Sequence, residues 1–433
     1  MIKTLLPAFS LLLILAGCGQ PAETETPDQG AAQSMEQQKT AAAAAAAAAQ
    51  IDAQALTQKL LLIDTHIDVP YRLHDEWEDV SVATPEGDFD YPRALAGGLD
   101  AMFMSIYIPA DVDARGEATA FADALIDSVE RIVDTAPDKF SIATCTSDIE
   151  QLKADGLFAM PLGMENGGPI AGDFETLARF RNRGIRYVTL THSKSNHISD
   201  SSYDLNEQWQ GLSEFGKSLI PEMNSQGVMI DVSHISDRAY WQVLELTHTP
   251  VIASHSSLRH YTPGFQRNMT DEMVAALTDN GGVIQINFGS GFLTKAARDY
   301  ANASQQAFLR FRAEQSIAGD DPRLLEFAVN YRAENPYPYA TIDDVLNHVD
   351  RAVELAGIDH VGIGSDYDGV GDSLPIGLKD VSEFPNLTAG LLERGYSETD
   401  IEKIYGGNLM RVWRENEAYA AAAGNPAQCV LGG

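Results

Sequence analysis

Positive charge is scarce in this chain. Its 433 residues carry 30 Lys and Arg against 62 Asp and Glu, a net charge of −32. That balance excludes nucleic acid and anionic membrane as binding surfaces, since both would be repelled. It does not select a cationic ligand, because an acidic surface chiefly keeps a protein soluble. Long apolar runs are scarce too. After Leu5–Leu15 no stretch is long and apolar enough for a transmembrane helix. Cysteine is rarer still, with three residues. Cys145 and Cys429 could pair in an oxidising compartment or stay as buried free thiols, and the sequence does not choose. What is abundant is apolar composition, 44%, enough for one large α/β domain with additions.

The amino terminus reads as a secretory signal: Lys3, the apolar run Leu5–Leu15, then small residues before a cut. Leu15-Ala16-Gly17-Cys18 resembles the bacterial lipoprotein lipobox. It implies a signal peptide over 1–17, lipid on Cys18 and a chain anchored in the bacterial cell envelope, facing the periplasm. Gly19, in place of an aspartate, points to the outer rather than the inner membrane. Gln20–Gln50 has no hydrophobic periodicity and ends in the alanine run Ala41–Ala49. We expect a disordered tether over 18–55, a folded domain over 56–423 and a loose tail over 424–433.

From Leu60 onward strand-like and helix-like segments alternate. The strand candidates are Leu60–His66, Leu99–Ile108, Phe158–Glu165, Ile185–His192, Val228–His234, Pro250–His255, Gly282–Phe288 and His360–Asp366. Helical periodicity falls between most of them, with Ser236 and Thr270 placed as N-caps. This pattern predicts an α/β fold of the (β/α)8 TIM-barrel type rather than an open doubly wound sheet. In a barrel the working groups come from the C-terminal ends of several strands. Here His66, Glu165, His192, His234, His255 and Asp366 each close a different candidate. Gly289–Tyr339, between the seventh and eighth strands, is too long for a plain loop and reads as a helical insertion.

Four of these groups, together with Asp68, read as a metal centre. His66 and Asp68 lie two residues apart at a strand end, so they project to one side. His234 and His255 supply imidazoles from two other strands. Glu165 has two oxygens and could bridge a pair of cations. Two metal ions sharing a carboxylate and a water make a hydrolytic centre. Asp64 lies one step deeper on the same face and reads as support.

Taken in order, DTHID, GMENG, THS, DVSH, SHSS, RN and GSDYDG resemble the membrane (renal) dipeptidase family of metallopeptidases, over about Leu61 to Arg411. The resemblance implies a barrel related to the amidohydrolases and two Zn2+ per chain. His66 and Asp68 would hold one ion, His234 and His255 the other, with Glu165 bridging. By the same carry-over, His192 contacts the scissile carbonyl region. Arg267 holds the substrate's C-terminal carboxylate, and Asp366 passes a proton to the leaving amine. The implied reaction is hydrolysis of dipeptides, including some with a D-residue at the C-terminal position, by a homodimer. Asp368 reads as structural. Two departures bear on specificity: Gly289 stands where mammalian relatives carry an aromatic residue, and Gly289–Tyr339 is longer. Other metal-dependent amidohydrolases, such as N-acyl-amino-acid deacylases or lactonases, and a non-catalytic peptide-binding lipoprotein are the competing readings. Lys194 is not needed as a carboxylated bridge if Glu165 serves.

Overall fold

The computed structural model describes residues 53–317 and 321–431. The expected signal peptide, Cys18 and the expected tether up to residue 52 lie outside them. The folded body starts earlier than expected. Residues 53–59 are helical, and Ala53 is fully buried. Thr57 Oγ1 donates to Ala53 O at 2.7 Å and meets Thr388 Oγ1 at 2.5 Å. Among the described residues the boundary therefore moves back from 56 to Ala53.

The ten strands found among the described residues form one curled sheet in which every pairing is parallel. They are β1 (Ile63–Ile67), β2 (Ala101–Tyr107), β3 (Phe140–Ile142), β4 (Phe158–Met160), β5 (Leu162–Glu165), β6 (Ile185–Thr189), β7 (Met229–Asp231), β8 (Ile252–Ser256), β9 (Val283–Ile286) and β10 (Val361–Ile363). The order is β10-β9-β8-β7-β6-β5-β2-β4-β3, with β1 paired to β2. The curl brings β1 back to the far end of the run. Asp68 N–H donates to Tyr367 O at 2.9 Å, and Asp366 N–H to His66 O at 3.1 Å.

Two features differ from the eight-strand expectation. Phe158–Glu165 is interrupted at Pro161, which has no N–H to give to a ladder, so it splits into β4 and β5. Phe140–Ile142 is an additional strand that pairs only with β4 at the sheet's end. It is three residues long and leads into a capped helix, Thr146–Asp155, so its period-2 signal is too short to stand out.

The helices between strands bury apolar stripes against the sheet. In Ile342–Ala356, Val345, Leu346, Val349 and Ala352 are buried at helical spacing. The expected caps are present: Ser236 accepts from Ala239 N, and Thr270 from Met273 N. Ile63, Ala101, Phe103, Tyr187, Met229, Ile252 and Val283 form an apolar cluster of their own with Trp413 of the C-terminal helix Asn408–Ala422. Most of them sit at strand starts, so this cluster seals the end of the sheet opposite the polar strand ends.

The segment between β9 and β10 is helical, as expected, with Ser290–Leu293, Lys295–Glu314 and Pro322–Glu334. The tail is not loose. Cys145 and Cys429 form a disulfide with Cα atoms 5.3 Å apart. Asp148 accepts from Val430 N at 3.0 Å and from Leu431 N at 3.1 Å. Neither partner is near the tail in sequence, which is why composition alone suggested a free end.

Candidate metal centre

β1 brings the first two groups. Its register on β2 shifts between Asp64 and Ile67, a bulge beside the site of the kind that re-aims side chains. His66 Nε2 lies 3.4 Å from Asp68 Oδ2 and 3.4 Å from Glu165 Oε2. Glu165 ends β5 and turns its other oxygen the opposite way. Its Oε1 is 3.1 Å from His234 Nε2, 3.2 Å from His255 Nε2 and 3.6 Å from His192 Nε2. His66, Glu165 and His255 converge as one group of potential ligands and Glu165, His192 and His234 as another, so one buried carboxylate is common to both. Asp366 belongs to the same assembly, since His66, Asp68 and Asp366 converge as potential ligands.

Not every one of these groups sits on a strand. His66 and His255 lie within β1 and β8, while His192, His234 and Asp366 fall in turns three residues beyond β6, β7 and β10. His234 and Asp366 adopt left-handed backbone, with φ of 69° and 66°. That conformation is unfavourable for non-glycine residues and concentrates at functional sites. Gly369 has a related cause. A Cβ there would come within 2.1 Å of Asp68 Oδ2 and 2.3 Å of Asp366 Oδ1, so only glycine lets the chain pass.

Residues behind the cluster fix which imidazole nitrogen faces it. Tyr187 OH donates to Thr65 O at 3.1 Å and so accepts from His66 Nδ1 at 2.8 Å. Ser254 Oγ donates to Asp231 Oδ2 at 2.6 Å and accepts from His255 Nδ1 at 2.8 Å. Both histidines therefore present an Nε2 lone pair inward, the arrangement metal-binding histidines usually have. Tyr187 was not visible as a site residue in the sequence. The available signal was Gly163, in GMENG, where a Cβ would come within 2.0 Å of the Tyr187 ring. Asp64 supports from below, accepting from His66 N at 3.1 Å and Ser365 N at 3.0 Å.

The donor set fits divalent cations. His66 Nε2 and Asp68 Oδ1 are buried with no hydrogen-bond partner, a costly state unless something positive completes it. Burial pushes Glu165 up, but the surrounding imidazoles, His66 and His192 foremost with His234 and His255 at 3.1 and 3.2 Å, outweigh it and hold the carboxylate well below its usual range. Burial drives His234 and His255 well below the ordinary imidazole range, so both stay neutral, with their Nε2 atoms 2.8 Å apart. At His66 burial acts in the same direction, yet Tyr187, Glu165 and Asp68 raise it well above that range. The position favours positive charge. Histidine nitrogen and carboxylate oxygen suit zinc and similar ions.

The remaining predicted residues surround this core. Asp366 Oδ2 accepts from Asn287 Nδ2 at 2.7 Å, and burial raises its carboxyl to about 7. Burial lowers His192, whose ring lies 4.7 Å from Tyr107 and 4.2 Å from His234. Arg267 is buried, donating to Ser256 Oγ and His255 O, each at 2.7 Å, while its Nε has no partner. Asp368 is structural, as expected: it accepts from Asp88 N at 2.6 Å and Arg72 Nε at 3.1 Å. Lys194 stays outside, largely exposed and 3.9 Å from Asp204. His197 accepts from Gly172 N, and His348 is fully buried between Leu258 N and Leu293 O.

A cleft of about 680 Å³ opens over the cluster. Asp68, Glu165, His192, His234, His255 and Asp366 form part of its wall; Tyr71, Tyr107 and Tyr203 form another. The insertion contributes Phe292, Arg298, Tyr300, Ser304, Gln305, Arg332 and Tyr337. None of these was singled out from sequence. Phe292 and Val370 crowd the space beside Gly289, where a Cβ would come within 3.0 and 2.9 Å of them.

Comparison with known proteins gives a consistent result. The family model described as membrane dipeptidase (peptidase family M19) matches residues 50–427. The dipeptidase tcpJ of Claviceps purpurea is 31% identical over 347 residues, 78% of this chain and 71% of its own. A dipeptidase of Schizosaccharomyces pombe is 30% identical over 379 residues, covering 83% of this chain and 81% of its own. Among solved structures, the probable dipeptidase PvdM from Pseudomonas aeruginosa superposes with a TM-score of 0.74 at 28% identity, covering 86% of this chain and 99% of its own.

Proposed function

From the premise that the chain belongs to the membrane dipeptidase family of metallopeptidases, we propose that it is a binuclear zinc dipeptidase whose two ions share Glu165. That it is a metallo-dipeptidase follows from the family. The number of ions, their identity and the residue roles are our reading. One observation carries it: Glu165 turns Oε2 to His66, which itself meets Asp68, and Oε1 to His234 and His255. A carboxylate with both oxygens committed to opposed donor pairs is the arrangement of a bridge. When bound, two such ions supply the positive charge that acidifies a water and polarises an amide carbonyl.

The chain's own residues do the rest. Arg267 is held by Ser256 and His255 O and keeps a buried, unpartnered Nε, a donor that a substrate's C-terminal carboxylate would complete. His192, neutral and beside Glu165, offers an N–H to the scissile carbonyl oxygen as charge develops there. Asp366 is oriented by Asn287 through Oδ2, leaving Oδ1 to take a proton from the attacking water and deliver it to the leaving nitrogen. We include dipeptides with a C-terminal D-residue among the substrates, on family grounds.

We read the curled sheet as a closed (β/α)8 barrel. Its eight positions are β1, β2, β4 continued by β5, and then β6 to β10. The hydrogen bonds between the ends of β1 and β10 support closure. The reading extends to a homodimer and, on Leu15-Ala16-Gly17-Cys18, to a lipid on Cys18 that holds the enzyme in the bacterial envelope, facing the periplasm.

To test this, purified protein is loaded with zinc, its metal content is measured, and release of free amino acid is followed over a panel of L,L- and L,D-dipeptides. We expect about two ions per chain and turnover that disappears with a chelator and returns with zinc. One ion per chain at full activity would overturn the shared-carboxylate reading. Mass analysis of the detergent-extracted amino-terminal peptide tests the lipid.

A further inference from the structure

The insertion lays a second arginine on the cleft wall, and its charge is unspent. Arg298 lies in the first turn of the helix Lys295–Glu314 and lines the cleft above the metal cluster. Its one side-chain hydrogen bond runs from Nη2 to the neutral amide oxygen of Asn302, at 2.8 Å. Among the described residues no carboxylate forms a salt bridge with it. The contrast with Arg332 on the same wall is sharp, since Arg332 Nη2 is 2.7 Å from Asp372 Oδ2. In a chain with twice as many acids as bases, an arginine left without an acid in a substrate cleft calls for an external anion.

Its position relative to Arg267 says where that anion sits. Phe265 and Phe292 form an edge-on pair with ring centres 5.6 Å apart. Arg267 Cζ lies 5.5 Å from the Phe292 ring and Arg298 Cζ 4.2 Å from the Phe265 ring. Two guanidinium groups thus flank one aromatic pair, one buried and one at the cleft. Burial raises the Tyr203 hydroxyl and both guanidinium groups act against it, so both lie within electrostatic reach of the same point. With the main-chain carboxylate assigned to Arg267, a side-chain anion of the same residue is left for Arg298. Ser304 and Gln305, about two turns further along the helix, add neutral polar groups to the same wall.

We propose that Arg298 is the specificity-determining residue of a side-chain subsite, and that the preferred substrates are dipeptides whose C-terminal residue carries a second carboxylate, aspartate or glutamate. The inference rests on the dipeptidase reading of the same cleft. It gives the insertion a purpose, which is to place a cation where the acidic barrel mouth has none to spare.

The experiment compares kcat/KM for Ala-Asp with Ala-Asn and for Ala-Glu with Ala-Gln, each with both enantiomers of the second residue, and with Ala-Ala as neutral reference. Zinc-loaded wild type should favour acid over amide by roughly ten- to hundredfold, the effect of one charge-assisted hydrogen bond. Arg298→Gln should bring that ratio close to one. Arg298→Lys should keep part of it, and Arg298→Glu should turn the preference towards Ala-Lys. No acid preference in the wild type overturns the proposal, whatever the variants do. So does a ratio that survives Arg298→Gln, and so does an equal loss on all substrates, which would make Arg298 a clamp for the main-chain carboxylate. If zinc is bound and no dipeptide is cleaved, including Ala-Ala, the dipeptidase reading itself fails. Cleavage of Ala-Ala without acid preference fails the subsite alone.

Discussion

The strand ends and the insertion meet at one cleft but are built on opposite terms. At the strand ends, His66, Glu165, His234 and His255 are nearly or fully buried, and the Tyr187 and Ser254 hydroxyls orient His66 and His255. On the insertion, the helices Lys295–Glu314 and Pro322–Glu334 bury only Ala297 between them and leave Leu325 72% exposed. Chemistry needs donors held in fixed geometry, and strands locked in register supply that. Recognition needs a wall that can differ between relatives without disturbing the donors, and a surface helical segment supplies that. The two roles are therefore separable in this molecule. Changes at strand ends should abolish metal binding or rate, and changes in the insertion should alter preference.

The largest effect should come from Glu165→Gln. Removing the shared charge should cut metal content from about two ions per chain and lower kcat/KM by roughly a thousandfold or more. Full metal content in this variant, by elemental analysis, would break the view that strand-end geometry makes the centre. Asp366→Asn comes next. Metal should stay, while kcat falls by roughly a hundred- to ten-thousandfold, the usual range for losing a general acid–base group. Unchanged turnover would remove Asp366 from the proton path.

His348 joins the two regions. Its Nδ1 accepts from Leu258 N, at the base of the loop that carries Arg267, and its Nε2 donates to Leu293 O, where the insertion begins. Burial lowers it from 6.5 to about 4. The folded state therefore holds His348 neutral while the unfolded chain takes up a proton below pH 6.5. Stability is fully present above pH 6.5 and declines as pH falls towards 4, by about 3 kcal/mol in all. Urea midpoints of wild type and His348→Gln, measured between pH 7 and 4, check this. The variant should lack that part of the slope, and equal slopes would mean that the junction is not held by this imidazole. The smallest effect belongs to Tyr187→Phe. Losing the hydroxyl frees the His66 ring, so zinc affinity should fall roughly ten- to hundredfold, with secondary structure by circular dichroism retained.

The same division explains what could be read from the chain beforehand. DTHID, DVSH and SHSS were legible because each couples an apolar strand to an abrupt polar end, a signal contained within a few residues. Glu165, His192 and Asp366 were legible for the same reason. Tyr187 was not, because its partner His66 is 121 residues away and a tyrosine in a strand reads as core. Pro161 was in plain view, but the apolar residues on both sides of it hid the break. Arg298 carries no local mark, since an arginine in a polar helix looks like any solvated charge. Its environment exists only once the insertion folds over the cleft. His348 carries no local mark either, since Leu258 and Leu293 close on it from two different segments.

The Cys145–Cys429 link gives the molecule a covalent topology as well as a tertiary one. It joins residues 284 apart and closes a ring that contains Glu165, His192, His234, His255, Arg267 and Asp366, and leaves His66 and Asp68 on the free arm. A protease that nicks the exposed helices of the insertion would cut the ring only once. On a gel run without reductant the two pieces should travel together, and only reductant should part them.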